Sequence, residues 1–211
     1  MLRWPVEWSA VGAWRRWSLR RRQYRGGVEV LDALYATADP WNLSNTQEQS
    51  RFAATNALIV ANLPGGTSLL EVGCGEGQQT RHFLDVAAQV TGIDGSATAL
   101  ARARSEMPGV TFIEGDFSQD LQILERARYD LVTLCEVLYY IHDPESALRR
   151  AQALGDAIIV TIYEPRLAPL ERLFDYGGWR KLPVIVAGRR RWRAYVWRRV
   201  TDSTIYRTMG T

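Results

Sequence analysis

The chain is poor in cysteine and histidine, with two of each in 211 residues. Two cysteines cannot build the framework of a disulfide-stapled domain. Without a Cys/His cluster, a catalytic metal is not expected. Cys74 and Cys135 each stand at the end of an apolar run, so both read as small buried residues in a reducing, cytoplasmic setting. No apolar run approaches the ~18 residues that a membrane-spanning helix needs. Repeats and low-complexity tracts are lacking as well. The basic N-terminus is interrupted by Trp and Arg too often for the apolar core of a signal peptide.

What is present is the composition of one globular domain, 46% hydrophobic and 23% charged. The net charge is only +3, but arginine is unevenly placed. One group comprises Arg15, Arg16, Arg20, Arg21, Arg22 and Arg25, and another Arg189, Arg190, Arg191, Arg193, Arg198 and Arg199. These groups are either solvated faces or a surface drawn to an anionic partner: a membrane, an acidic glycan or nucleic acid. Residues 1–27 stand apart, with Trp4, Trp8, Trp14 and Trp17 set among arginines and ending at Gly26-Gly27. At helical spacing these tryptophans share no single face, so the segment either packs on the domain or lies peripherally on a membrane. Residues 28–211 form the domain itself.

Residues 69–77, Leu-Leu-Glu-Val-Gly-Cys-Gly-Glu-Gly, carry the most information. A buried strand over 68–72 runs through Glu71 into Gly73, Gly75 and Gly77. Glycine allows the unusual dihedrals of a tight turn and the close approach of a ligand. A helix predicted over 78–86 aims its first N–H groups at the same place. The dinucleotide fingerprint wants Gly-x-Gly-x-x-Gly, whereas the spacing here is Gly-x-Gly-x-Gly. Glu71 would repel a pyrophosphate but suits a cationic ligand.

Further apolar runs over 88–93, 110–113, 129–135 and 157–162 alternate with helices predicted over 97–106, 121–125 and 145–154. This alternation implies an α/β domain, a parallel sheet with helices on both faces. The second run ends at Asp94-Gly95, where an acidic residue accepts hydrogen bonds from ribose hydroxyls. The third leads into Glu114-Gly115-Asp116-Phe117, and the fourth through Cys135 into Glu136-Val137-Leu138-Tyr139-Tyr140-Ile141-His142. Acidic residues at successive strand ends match the ligand crevice of open α/β sheets. Ahead of the sheet, helices are predicted over 28–35 and 47–63, with Thr46 and Gln49 as a capping box. Behind it, a helix around 168–174 precedes strands over 182–186 and 192–200, an antiparallel hairpin flanking Gly188.

The pattern Glu71-x-Gly73-x-Gly75-x-Gly77 resembles the first motif of class I S-adenosyl-L-methionine (SAM) methyltransferases. More narrowly, Tyr35-x-x-x-Asp39-Pro40-Trp41, the helix carrying Glu48-Gln49-Ser50-Arg51, and Glu136-Val137-Leu138-Tyr139-Tyr140 resemble the nodulation protein S family of N-methyltransferases. The resemblance covers essentially the whole chain after residue 28. It implies a Rossmann-like fold with a mostly parallel seven-stranded sheet, helices on both faces and a C-terminal β-hairpin. It further implies SAM as cofactor and S-adenosyl-L-homocysteine as product. The acceptor it implies is an amine or hydroxyl of a small molecule or carbohydrate, a lipid-linked sugar included. The cofactor residues implied are Glu71, Gly73, Cys74, Gly75 and Gly77 at the turn, Asp94 and Gly95 at the ribose, and Asp116 and Phe117 at the adenine. Cys135 and Glu136 stand at the end of the fourth strand, and Tyr35, Trp41 and Arg51 close the N-terminal side. A Trp face holds a sulfonium charge by cation–π attraction, and Arg pairs with a methionyl carboxylate. The plainer alternatives are a core aromatic for Trp41 and a solvated helix residue for Arg51.

For transfer, the candidates are His142, Glu136, Tyr139 and Tyr140. An amine acceptor must be neutral at attack and must give up a proton. His142 is the base on this reading, or else a polar residue capping the loop before Pro144. Glu136 either orients the acceptor or takes the methionyl ammonium. Tyr139 and Tyr140 are adjacent, so at most one is expected to face the pocket. An RNA methyltransferase is encouraged by the arginine groups, but no Asn/Asp-Pro-Pro-Tyr motif follows the fourth strand, so nucleic acid is not the expected partner. A third reading is a membrane-associated or regulatory protein that binds SAM without transferring its methyl group.

Overall fold

A computed structural model describes residues 27–63, 67–119, 124 and 128–200. The Trp/Arg-rich segment 1–26, most of the helix predicted over 121–125 and the last residues of the chain lie outside that range. Five apolar runs form strands: β1 Ser68–Val72, β2 Gln89–Asp94, β3 Thr111–Glu114, β4 Tyr129–Cys135 and β5 Gly155–Tyr163. They pair in parallel in the order β3-β2-β1-β4-β5. In β1 and β4 nearly every residue is buried on both faces, as expected of strands covered by helices on each side.

The C-terminal part adds β6 Arg180–Lys181, β7 Ile185–Ala187 and β8 Arg190–Arg198. Strand β8 runs antiparallel beside β5, and β6 and β7 pair with successive stretches of β8. The hairpin expected around Gly188 is therefore present, but the sheet has eight strands rather than seven. The reason is Pro183. Leu182 still donates its N–H to Ala194 O at 2.9 Å, but proline has no N–H to continue the ladder, so one expected strand becomes two short ones.

The helices are α1 Gly27–Leu34, α2 Thr46–Asn62, α3 Thr80–Phe83, α4 Ala97–Glu106 and α5 Pro144–Leu154. The start of α2 differs from expectation. Asn45, not a Thr46/Gln49 box, caps it by accepting from the N–H groups of Gln47 and Glu48. Helix α3 is much shorter than 78–86. Asp85 and Val86 bond back to His82 and Phe83 in three-residue turns, which end the helix after about one turn. Ser96 caps α4, and Asp143 caps α5 with Pro144 in its first turn. In place of a helix around 168–174 there are two 3-10 turns, Glu164–Arg166 and Glu171–Phe174. Phe174 in the second stacks on Tyr195 of β8 at 3.9 Å.

Strand order reverses at β1, which has β2 on one side and β4 on the other. Chains leaving the carboxyl ends of β1 and β4 diverge there, opening a crevice. Helix α2 crosses above it. Its buried face holds Glu48, Arg51, Phe52, Thr55 and Ile59 at helical spacing, and the polar members sit toward the helix start, over the crevice. Among the described residues, no helix is long and apolar enough to cross a membrane.

Candidate active site

The turn after β1 is built on glycine for two distinct reasons. Gly73 and Gly75 have φ of 75° and 52°, in the left-handed region. A Cβ at Gly73 would meet Val137 Cγ2 at 2.6 Å, and one at Gly75 would strike the Tyr35 hydroxyl. The Gly75 N–H donates to Asp94 Oδ2 at 2.8 Å and the Ser96 N–H donates to Asp94 Oδ1 at 2.9 Å, which joins the ends of β1 and β2. Burial pushes the Asp94 carboxyl up, and these backbone bonds oppose that shift. Each of its oxygens keeps a further lone pair for a ligand hydroxyl.

Two chambers open at these strand ends, with volumes of about 350 Å³ and 270 Å³. Both are walled by Gly73, Asp94, Val137 and Tyr140, so together they form one bent crevice. The first also gathers Tyr35, Trp41, Arg51, Glu71, Cys74, Cys135, Glu136 and Tyr139. The second gathers Gly95, Asp116, Phe117 and His142. Gly75 and Gly77 line neither chamber. They act from behind, Gly75 through its bond to Asp94 and Gly77 by leaving room for Met107.

Two sequence expectations change here. Tyr139 and Tyr140 both line the first chamber. The short 3-10 turn Leu138–Tyr140 sends Leu138 into the core, and the two rings stand 4.7 Å apart in the cavity wall. His142 lies in the second chamber and is exposed, while Glu136 and Tyr139 line only the first. The fold thus separates the two candidate bases.

Glu136 sits where β4 ends, with φ of 60°, a strained value for a residue with a side chain. Its Oε2 accepts from the Tyr139 hydroxyl at 2.9 Å, and its Oε1 is buried without a partner among the described residues. Burial pushes its carboxyl up to about 7, against the pull of Arg51, Tyr139 and Trp192. Glu71 is deeper. Burial carries it to about 8, although the Thr80 hydroxyl donates to it. Cys74 and Cys135 are free and buried, and burial raises both thiols, Cys135 to about 12, so neither is a nucleophile near neutral pH.

Arg51 is buried rather than solvated. Its Nε bonds Glu48 Oε2 at 2.7 Å, its Nη1 bonds Gln79 Oε1 at 3.1 Å, and its guanidinium lies 4.4 Å from the Phe52 ring centre. Trp41 is held by the loop that α1 leads into. Its ring meets Tyr35 edge-on at 5.0 Å and Tyr140 at 6.3 Å. Asp39 shapes this loop by accepting from the N–H groups of Leu43 and Ser44.

The methyltransferase domain family matches residues 70–154. Those residues hold the glycine turn, the Asp94 and Asp116 strand ends, and Glu136. Nodulation protein S of Sinorhizobium fredii is 34% identical over 123 residues, 58% of this chain and 56% of that protein. A ubiquinone biosynthesis O-methyltransferase of Actinobacillus pleuropneumoniae is 34% identical over 97 residues, 42% and 41% of the two chains. The chain spans about half the length of the curated relatives it matches. The crystal structure of the N-methyltransferase NodS from Bradyrhizobium japonicum, in complex with S-adenosyl-L-homocysteine, superimposes with a TM-score of 0.64 at 18% identity. That match covers 89% of this chain and 99% of NodS. The magnesium protoporphyrin IX methyltransferase of Synechocystis, with bound SAM, gives 0.57 at 20% identity over 72% and 80% of the chains. The fold is that of class I methyltransferases, and in sequence the chain is NodS-like.

Sequence reasoning missed several residues of this crevice. Glu48 and Gln79 hold Arg51. Glu76 accepts from the Asp39 N–H at 2.8 Å and pairs with Arg102 at 2.5 Å, and Arg102 also reaches Tyr35 O. These bonds fasten the Trp41 loop to the glycine turn. Tyr163, Arg190 and Trp192 complete the first chamber from β5 and β8. The i, i+3 spacing of Glu48 and Arg51 was a visible signal. The strand β8 contribution had none, because it depends on which face of a distant hairpin meets the crevice.

Proposed function

We propose that this chain is a SAM-dependent methyltransferase acting on an amine or hydroxyl of a small-molecule acceptor. The observation that carries the proposal is the bent crevice at the ends of β1, β2 and β4, lined with charged groups of both signs. An unmatched buried atom fits the cofactor. Gln79 Nε2 is a buried donor without a hydrogen-bond partner among the described residues, suited to a methionyl carboxylate. Arg51 and Gln79 would hold the carboxylate, Glu71 the ammonium, Asp94 the ribose hydroxyls, and Asp116 with Phe117 the adenine.

SAM, when bound, supplies an activated methyl group. The chain's own residues must orient the acceptor, exclude water and take a proton. The Tyr35, Trp41, Tyr139 and Tyr140 rings give the first chamber an apolar, electron-rich wall, which favours a neutral amine entering and a cationic product forming. Glu136, with its carboxyl near 7, is the group in that chamber poised to accept a proton. His142 serves the adenosine side on this reading rather than the transfer step. The resemblance to nodulation protein S favours a carbohydrate amine, and the Trp/Arg-rich residues 1–27 would bring the enzyme to an anionic membrane carrying a lipid-linked form. Flotation with phosphatidylglycerol vesicles, with and without residues 1–27, tests the membrane contact. Transfer is tested by incubating the protein with SAM bearing a deuterated methyl group and a panel of amines and hydroxyl compounds. Mass spectrometry should find a labelled product together with S-adenosyl-L-homocysteine, lost in Asp94→Ala. No labelled product from any member of a broad panel would count against it.

A further inference from the structure

Besides the buried Arg51, the first chamber has a cationic side chain at its rim. Arg190 opens β8, and its side chain is 45% exposed while lining the chamber. It touches Glu48 Oε1 through Nη1 at 2.8 Å. Glu48 is already engaged, since its other oxygen holds the buried Arg51. Arginine matches a carboxylate best through a two-nitrogen fork, and here Glu48 meets Arg190 through one nitrogen only. The Nε and Nη2 of Arg190 have no other partner among the described residues.

The strand sets where that unused edge lies. Trp192 is two residues further along β8, on the same face, and its indole stands against the Glu136 carboxyl. Two residues of an extended strand span about 7 Å. Arg190 therefore stands on the same chamber wall as Trp192, one step of the strand away from the residue beside the group proposed to take the proton. Glycine at 188 lets the hairpin seat against the start of α2, where Gln47 donates to Ala187 O at 3.3 Å, which fixes the register of Arg190 over Glu48.

We propose that Arg190 is a specificity-determining residue: it binds an anionic group, a carboxylate or phosphate, carried by the acceptor at the rim of the first chamber. This rests on the methyltransferase reading and narrows its acceptor class. Phosphate and carboxylate share the same fork geometry, so the probes must separate them.

The test uses the full chain saturated with S-adenosyl-L-homocysteine and titrated by calorimetry with 6-aminohexanoate, 6-aminohexyl phosphate and neutral 6-amino-1-hexanol. The expected result is tighter binding of at least one anionic probe than of the alcohol, by roughly tenfold, the worth of one charged hydrogen-bonded contact. The tighter of the two anions identifies the group. Arg190→Gln, which can still bond Glu48, should erase the preference, and Arg190→Lys should keep part of it. Equal binding of all three probes, or a preference that survives Arg190→Gln, would overturn the proposal. The first titration, of S-adenosyl-L-homocysteine itself, separates the two claims. If it binds and the probes show no preference, the anion contact fails alone. If it does not bind, the methyltransferase reading fails and this inference falls with it.

Discussion

Glu136 is the residue on which the chemistry turns. Its backbone occupies a strained left-handed conformation, its Oε1 is buried without a hydrogen-bond partner among the described residues, and burial lifts its carboxyl to about 7. A base must be ionised to accept a proton, so turnover should rise with pH through about 7 and level off above it. Glu136→Gln should lower kcat by roughly 10²–10⁴ and remove that inflection. An inflection that persists in the variant's pH–rate profile would assign the base elsewhere. Asp94 makes a sharper prediction about binding. Losing a charge-assisted acceptor costs ~1.5–3 kcal/mol, so Asp94→Ala should weaken SAM about 10- to 150-fold, read by equilibrium dialysis. At this scale much was legible: an acidic residue closing an apolar run and followed by glycine has few other uses. Arg190 was not legible, because it looks like any surface charge until the far hairpin is placed against α2.

Among the elements, β1 and β4 are fastened at their entrances by one carboxylate. Asp130 Oδ2 accepts from the N–H groups of Thr67 and Ser68, both at 2.8 Å, and from both hydroxyls, and these bonds hold its carboxyl down to about 2. Asp130→Ala should cost ~1–3 kcal/mol in urea unfolding. The contribution should be complete above the ordinary carboxylate range and be lost as pH falls through about 2. A variant as stable as the parent would show that the strand pair needs no such clamp. The bounds of β1 and β4 could be read from the chain because unbroken apolar runs stop at glycine or charge. The ends of α2, α3 and the β6–β7 region could not. They were decided by a side-chain bond from Asn45, by turns closing on His82 and Phe83, and by the missing N–H of Pro183.

At the scale of the whole molecule, the crevice is assembled at a cost to the empty protein. Glu71 is pushed from 4.5 to about 8, and Glu136 from 4.5 to about 7. Between 4.5 and those values the folded chain keeps protons that the unfolded chain has released. The folded state then binds more protons, so its stability falls as pH rises across that window. Thermal melts of the empty protein should decline from about pH 5 to 8, and Glu71→Gln should flatten the decline. A slope unchanged in that variant would mean that Glu71 is not held protonated. A bound ammonium beside Glu71 would offset its share of the penalty, since opposite charge favours the ionised form. The parallel sheet followed from alternating strands and helices, whereas the switch point at β1 emerged only with the strand order. The bent shape of the crevice did not, because it depends on α2, the Trp41 loop and β8 converging from distant parts of the chain.

The central claim is that this crevice holds a sulfonium nucleoside, and calorimetry with S-adenosyl-L-homocysteine tests it most directly. The account predicts saturable binding at one site per chain, weakened about 10- to 150-fold by Asp94→Ala. Absence of binding by the folded protein, or equal affinity in the Asp94 variant, would contradict it.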